Sequence, residues 1–294
     1  MTILFEFIAE ILKNPELLKK TLYVSDLDGT LLNCNSRLSS ESVTMLNELI
    51  ENQNVKFTIA TARTPATVVN IMTHVASKLP FIVMNGAAMW DNVNKRFVGI
   101  SPLSPHTVEE VCAIFEAHGL NPMIYRRKGD SLEVHHCGEL SVQERTFVEE
   151  RQELKLKKFV FNNVNYMRTE GDALLIFSMN DYERLEAVYN DVIAGVHCSS
   201  VCYHDIFDPS AGLMETYAPG VSKAVAVRRL ATEVGAERLV VFGDNRNDIP
   251  MMRIADLAVA PENAMDEVKA IADIVIEPNY THSVARFILN ENKR

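Results

Sequence analysis

The chain has 294 residues, a hydrophobic fraction of 47% and a formal net charge of −10 at pH 7. This length suggests about two domains, and the hydrophobic fraction is enough for a substantial core. An acidic chain lacks the basic face that binds a nucleic-acid backbone, so we expect no nucleic-acid partner. The five cysteines are odd in number and scattered in spacing. This is typical of free thiols in a reducing cytoplasm rather than of a disulfide framework.

The first 19 residues carry apolar side chains at helical spacing, interrupted by Glu6 and Glu10. They lack the basic start and the small-residue cleavage site of a signal peptide. They also fall short of the ~20 apolar residues that cross a bilayer. We therefore predict an amphipathic helix over residues 1–19, packed on the core or on a second copy. The expected protein is a cytoplasmic monomer or homodimer with no membrane partner.

The first polar motif is Asp26-Leu27-Asp28-Gly29, which directly follows a predicted buried strand over Leu22–Ser25. Residues two apart in an extended segment point to the same side. The two carboxylates would repel each other unless a cation or a shared proton relieved them. A hard divalent cation with oxygen ligands, Mg2+ above all, satisfies this need. A capped turn with Gly29 at the bend would account for one aspartate but not for the pair.

The second motif, Thr61-Ala62, ends an apolar run and precedes Thr64-Pro65. Threonine is a good helix cap and proline suits the first helical turn. The Thr61 hydroxyl and the nearby backbone N–H groups are therefore expected at a helix start, where an anion is readily bound. Each feature alone is also typical of an ordinary helix cap.

Two further motifs lie near the C-terminal end of the chain. Lys223 falls in the first turn of a predicted helix, where the helix dipole disfavours a cation unless an anion is bound nearby. Gly243-Asp244 follow a predicted strand over residues 239–242, and Asn247 and Asp248 come soon after. The four motifs in this order point to one site that binds a metal and a phosphate.

Strand and helix patterns alternate over residues 20–88 and again over residues 213–294. This alternation predicts an α/β fold with a doubly wound parallel sheet, and such sheets bind ligands at the carboxyl ends of their strands. Residues 89–212 lack this regular alternation and instead show a hairpin pattern near Trp90 and mixed helix and strand patterns. We predict that they form an α+β cap domain inserted into the core between Thr61 and Lys223.

The four motifs together resemble the signature of the haloacid dehalogenase (HAD) superfamily, and the closer resemblance is to its Cof-type sugar-phosphate phosphatases. Flanking segments agree, among them Met84-Asn85-Gly86-Ala87 and Pro219 to Lys223. The resemblance covers about residues 20–285. One departure is Ala62, where relatives often have glycine; a methyl group there should still let the backbone approach a phosphate.

The resemblance implies a Mg2+-dependent phosphatase that acts on a small phosphorylated metabolite, with a sugar phosphate as the expected substrate. Asp26 would be the nucleophile that forms an aspartyl-phosphate, and Asp28 the general acid and base. Mg2+ would be bound by the side chains of Asp26 and Asp244 and by the backbone carbonyl of Asp28, and Asp248 would serve the coordination shell of the metal. The phosphoryl oxygens would be bound by five residues: Leu27, Thr61, Ala62, Lys223 and Asn247.

Three other functions would use some of the same residues. A phosphotransferase or mutase would use the same site but would need to exclude water in favour of an acceptor hydroxyl. A dehalogenase is disfavoured because Asp28 and the acidic fourth motif serve phosphate and metal rather than halide. A non-catalytic metabolite sensor on the same scaffold would not need to retain the nucleophile, so the complete residue set argues against it.

Overall fold

The computed structural model describes residues 20–205, 208 and 210–292. The chain divides into two compact units, one formed by the described parts of residues 1–64, 68–98 and 222–294 and the other by residues 65–67 and 99–221. The amphipathic helix predicted for residues 1–19 lies outside the described residues.

The described residues form both β-strands and α-helices. In order, the strands are β1 (Thr21–Ser25), β2 (Lys56–Ile59), β3 (Phe81–Val83), β4 (Ala88–Asp91), β5 (Arg96–Ile100), β6 (Met123–Lys128), β7 (Ser131–His135), β8 (Lys157–Val160), β9 (Asp172–Asp181), β10 (Ser199–His204), β11 (Ala211–Tyr217), β12 (Arg238–Phe242), β13 (Leu257–Pro261) and β14 (Ile274–Ile276). The α-helices are α1 (Ser40–Asn47), α2 (Pro65–Ile71), α3 (Pro105–Ala117), α4 (Val142–Glu149), α5 (Tyr182–Gly195), α6 (Lys223–Glu233), α7 (Ile249–Met252), α8 (Asp266–Lys269) and α9 (Ser283–Asn292).

The first unit is built on a parallel five-stranded sheet in the order β14-β13-β12-β1-β2. From β1 the chain continues to β2 on one side and returns much later to β12 on the other side. The strand order therefore reverses between β1 and β12, which is where open α/β sheets bind their ligands. The backbone N–H of Asp26 donates to the carbonyl of Phe242 at 2.9 Å, so the loops after these two strands start side by side.

Both faces of this sheet are covered by helices. Leu22 and Val24 point to one face and pack in a buried cluster with Val227 and Leu230 of α6. Tyr23, which points to the other face, donates its hydroxyl to Glu291 of α9 at 2.7 Å. This alternation is what a strand buried on both sides requires, and it confirms the predicted doubly wound α/β fold.

The second unit contains a six-stranded sheet in the order β10-β11-β9-β6-β7-β8. Its strands pair antiparallel except for β7 with β8. Helices α3 and α5 contribute Val111, Phe115 and Val188 to a buried cluster with Ile176 of β9. The unit is of the α+β class, in agreement with the helices and strands that the sequence predicts for it.

The limits of the inserted segment differ from the predicted residues 89 and 212. Residues 213–217, assigned to the core from the sequence, form most of β11 and pair with both β9 and β10. Strands β7 and β8 were also not predicted. Such strands are defined by the partners they pair with, which short-range sequence patterns do not reveal.

The sequence after Thr64 predicts a helix from Pro65 to Lys78, whereas α2 already ends at Ile71. The side chain of Asn47 explains the difference. Its amide donates to the carbonyl of His74 at 2.9 Å and accepts from the backbone N–H of Ala76 at 2.8 Å. These bonds replace those that a further helical turn would supply. Among the described residues, no helix has both the length and the apolar character needed to cross a membrane.

Candidate active site

Three carboxylates meet where the sheet order reverses. Oxygen atoms of Asp26, Asp244 and Asp248 all lie within 4.8 Å of one another. Asp26 directly follows β1, and Asp244 follows β12 after Gly243. Asp248 is brought back to the same point by a short helical turn, where its Oδ2 accepts from the backbone N–H of Asp244 at 3.0 Å. Asp26 and Asp248 are buried, and Asp244 is partly buried.

Lys223 enters this cluster from the first turn of α6. Its Nζ donates to Oδ1 of Asp26 at 2.5 Å and to Oδ1 of Asp248 at 2.8 Å. The helix begins at Ser222, whose hydroxyl accepts from the backbone N–H of Val225. The carboxylates provide the negative charge that a cation in a first helical turn requires. The lysine thus contacts the predicted nucleophile directly.

Burial dominates the proton affinities of the cluster. It raises the pKa of Asp26 well above its usual value; Asp248 and Asp244 add to this effect, whereas Lys223 opposes it. Burial also raises the pKa of Asp244 to about 6. For Lys223, burial acts to lower the pKa, but the charges of Asp248 and Asp26 outweigh it and the pKa rises above its usual value. The lysine is therefore charged at neutral pH, and the carboxylates favour additional positive charge.

Asp28 lies apart from the three clustered carboxylates and pairs with Arg63. Its Oδ2 and Oδ1 accept from Nε and Nη2 of Arg63 at 2.6 and 2.7 Å. Arg63 is not among the predicted site residues. The available signal was its position directly after Thr61-Ala62, at the carboxyl end of β2 beside β1.

The turn that carries Asp28 is fastened at several points. Thr30 donates its hydroxyl to Oδ1 of Asp244 at 2.6 Å, which ties this turn to the loop after β12. The side-chain amide of Asn263 donates to the carbonyl of Gly29 at 2.7 Å, and that of Asn279 donates to the carbonyl of Leu32 at 2.6 Å. The two asparagines were not predicted, because they lie far from the motifs in sequence.

The predicted phosphate-binding residues occupy different surroundings. Thr61 is buried, and its hydroxyl oxygen accepts from the backbone N–H of Arg63 at 3.1 Å, which leaves the hydroxyl hydrogen available. Leu27 opens the turn after Asp26, and Ala62 lies between Thr61 and Arg63. Asn247 is in an exposed turn beside Asp248, and its side chain takes part in none of the contacts described above.

The charges of the site fit a divalent cation. Four carboxylates (Asp26, Asp28, Asp244 and Asp248) face two cations, Lys223 and Arg63, which leaves two negative charges. Within the described part of the chain, Asp244 forms no ion pair. An all-oxygen set of carboxylates is the kind that Mg2+ prefers. Each carboxylate oxygen has two lone pairs, so the existing hydrogen bonds do not use up the set.

The chain belongs to the haloacid dehalogenase-like hydrolase family, whose profile matches residues 23–288. This confirms the predicted membership and the Cof-type branch, and the chain is a phosphoric monoester hydrolase of this family. All five cysteines are free thiols, as expected from their spacing.

Two similar proteins are bacterial phosphatases. The 5-amino-6-(5-phospho-D-ribitylamino)uracil phosphatase YcsE of Bacillus subtilis (strain 168) is 26% identical over 269 residues, which is 91% of this chain and 94% of that protein. The pyridoxal phosphate phosphatase YbhA of Escherichia coli (strain K12) is 26% identical over 270 residues, which is 90% of this chain and 95% of that protein. Among solved structures, the HAD subclass IIB sugar phosphatase BT4131 shares the fold with a TM-score of 0.69 and 21% identity, covering 92% of this chain and 98% of that one.

Proposed function

We propose that this protein is a Mg2+-dependent phosphatase that hydrolyses a small phosphorylated metabolite through an aspartyl-phosphate on Asp26. The observation that carries the proposal is the contact between Asp26 and the charged Lys223, beside two further carboxylates whose charge calls for a divalent cation. A nucleophile, a phosphate-binding cation and a metal site are the parts that phosphoryl transfer requires.

The first chemical step forms the covalent intermediate. A carboxylate oxygen of Asp26 attacks the phosphorus atom, and the bond between phosphorus and the ester oxygen breaks. Asp28 gives its proton to the leaving oxygen, which departs as an alcohol. In the second step water attacks the same phosphorus atom and Asp28 takes a proton from it. The bond between Asp26 and phosphorus then breaks, which releases inorganic phosphate and restores the carboxylate.

Phosphoryl transfer depends mainly on positioning and on neutralising charge. Lys223 orients Asp26 and offers its remaining proton to a phosphoryl oxygen, while the Thr61 hydroxyl and the backbone N–H groups of Leu27 and Ala62 bind the others. We propose Asp26, Asp244 and Asp248, with the carbonyl of Asp28, as the ligands of Mg2+. When bound, Mg2+ would offset the excess negative charge of the carboxylates and would let the anionic phosphate approach the nucleophile.

The names of the relatives support the proposed substrate class. Their names specify pyridoxal phosphate, a phosphorylated ribitylaminouracil and sugar phosphates, all of which are small phosphate monoesters. We propose that the inserted unit, predicted as residues 89–212 and found as residues 99–221, acts as a cap domain that selects among such substrates, with a sugar phosphate as the first candidate. We further propose that the enzyme works in the cytoplasm, where such metabolites are found, as a monomer or homodimer.

The test is phosphate release by the full chain from p-nitrophenyl phosphate, a panel of sugar phosphates and pyridoxal 5′-phosphate. Each compound is measured with Mg2+ and with EDTA, and with Asp26→Asn as the control. Release that needs Mg2+ and is lost in the variant supports the proposal, and the ranking of the panel identifies the substrate class. A folded wild type that releases no phosphate from any compound would contradict it. Adding glycerol as an acceptor distinguishes hydrolysis from transfer, because a transferase would form glycerol phosphate.

A further inference from the structure

Arg63 and Asp28 form a two-bonded ion pair at the edge of the site. Nε and Nη2 of the guanidinium each contact one oxygen of the carboxylate, at 2.6 and 2.7 Å. This paired arrangement fixes the plane of the carboxylate as well as its distance, which a single bond does not. Only two of the roughly four lone pairs of the carboxylate are used. The other two remain free for a proton in transit.

The backbone of Arg63 is held on both sides. Its N–H donates to the hydroxyl oxygen of Thr61 at 3.1 Å, and its carbonyl accepts from the N–H of Met84 at 3.0 Å. The side chain therefore starts from a fixed point directly after the predicted phosphate-binding segment. The Arg63 side chain is 28% exposed, and the hydrogen bond to Asp28 raises its pKa above the usual value.

Asp28 needs such a partner more than the other carboxylates do. Its side chain is 46% exposed, whereas that of Asp26 is 8% exposed and held by Lys223. The side-chain amides of Asn263 and Asn279 donate to backbone carbonyls of the turn around Asp28, so these bonds do not fix its carboxylate. An exposed aspartate without a partner samples several rotamers. It would also be repelled by the neighbouring acidic cluster.

We propose that Arg63 is a positioning residue for the reaction, holding the carboxyl group of Asp28 in the orientation from which it exchanges a proton with the ester oxygen and with water. This inference rests on the proposed phosphatase function. It assigns to Arg63 a role in the acid–base part of the reaction rather than in binding the phosphate.

A comparison of substrates with different leaving groups tests this role. A good leaving group such as p-nitrophenolate departs with little help from an acid, whereas an alkoxide needs the proton. Arg63→Ala should therefore lower kcat/KM for a sugar phosphate by about tenfold to a hundredfold. This loss is part of the ~10²–10⁴-fold rate acceleration that general acid–base groups typically contribute. For p-nitrophenyl phosphate the loss should be less than about threefold. Across a series of aryl phosphates, kcat/KM should depend more steeply on the pKa of the leaving phenol.

Three further variants complete the experiment. Asp28→Asn should also make kcat/KM depend more steeply on the pKa of the leaving phenol. Adding Arg63→Ala to Asp28→Asn should lower kcat/KM little further, because the effects of residues that act as a unit are not additive. Arg63→Lys should recover only part of the loss, since a lysine makes a single contact. Arg286→Ala removes an exposed ion pair with Glu277 and should leave the dependence unchanged.

The outcomes separate the two proposals. An equal loss for all leaving groups, or a rise in KM with kcat unchanged, would mean that Arg63 binds substrate or supports the fold, and it would overturn the positioning role while leaving the phosphatase intact. Full additivity of Arg63→Ala and Asp28→Asn would overturn it as well. An inactive wild type would instead overturn the proposed function, and this inference with it.

Discussion

Gly29 lies against the carboxylate of Asp244, so closely that a Cβ atom at residue 29 would be 2.3 Å from Oδ2 of Asp244. The backbone φ of Gly29 is +80°, a conformation that L-amino acids rarely adopt. Glycine is thus required here for two independent reasons. The close approach joins the loop after β1 to the loop after β12.

We expect Gly29→Ala to disturb the carboxylate cluster more than backbone strain alone would. Gly235 offers a matched control, because its φ is +60° and a Cβ there meets nothing within 4 Å. Gly235→Ala should cost about 1 kcal/mol of unfolding free energy from strain. Gly29→Ala should cost about 1–3 kcal/mol more, since the side chain of Asp244 must move. Chemical denaturation measures both, and equal losses would show that the contact with Asp244 is unimportant.

Lys223 is expected to be essential to the nucleophile that it contacts. Lys223→Met leaves Asp26 and Asp248 buried without their cation, and breaking a buried pair in this way typically costs about 3–5 kcal/mol. The inhibition constant of inorganic phosphate should rise at least about tenfold, because a charge-assisted bond is lost. Lys269→Met, which removes an exposed pair with Asp266, serves as the control. Unchanged phosphate inhibition in folded Lys223→Met would contradict the assigned role.

Lys157 should make stability depend on pH in the alkaline range. Burial, and then the charge of Arg151, lower its pKa to about 8. Its Nζ lies 5.2–5.8 Å from the ring centres of Tyr125, Phe147 and Phe159. The unfolded chain, with a lysine pKa near 10.5, binds more protons between about pH 8 and 10.5. The contribution of Lys157 to the unfolding free energy therefore rises with pH across this window, by up to about 3 kcal/mol.

Lys157→Met removes this titration, so its stability relative to the wild type should fall as pH increases from 7.5 to 10.5. Denaturation followed by far-ultraviolet circular dichroism is suitable, since the single tryptophan, Trp90, lies in the first unit. Lys158→Met, at the exposed neighbouring position on β8, should show no such trend. A constant difference between Lys157→Met and the wild type across this range would refute the depressed pKa.

Glu291 of α9 bonds to side chains of both β1 and β12. It accepts from Tyr23 at 2.7 Å and from Nη2 of the buried Arg238 at 2.9 Å. Glu291→Ala leaves Arg238 buried without a counter-charge, and we expect a loss of about 3–5 kcal/mol. Glu277→Ala, which breaks the exposed pair with Arg286, should cost no more than about 1 kcal/mol. Similar small losses in both variants, measured by denaturation, would show that the buried pair contributes little.

Much of the fold could be predicted because its signals are local. The apolar run before Asp26 and the one before Gly243 both indicated strands, and β1 and β12 confirm them. The helix predicted to carry Lys223 in its first turn is α6. Strands β7, β8 and β11 were missed and α2 was predicted too long, because their limits depend on distant partners such as Asn47.

The sequence by itself determined the class of the fold, the family and the residues that carry the proposed chemistry, since motif spacing and periodicity are properties of neighbouring residues. Only the tertiary structure decided which charges meet: Lys223 with Asp26 and Asp248, and Arg63 with Asp28. These pairs join segments 25 to 197 residues apart. The order of the strands brings them together, and no local pattern encodes that order.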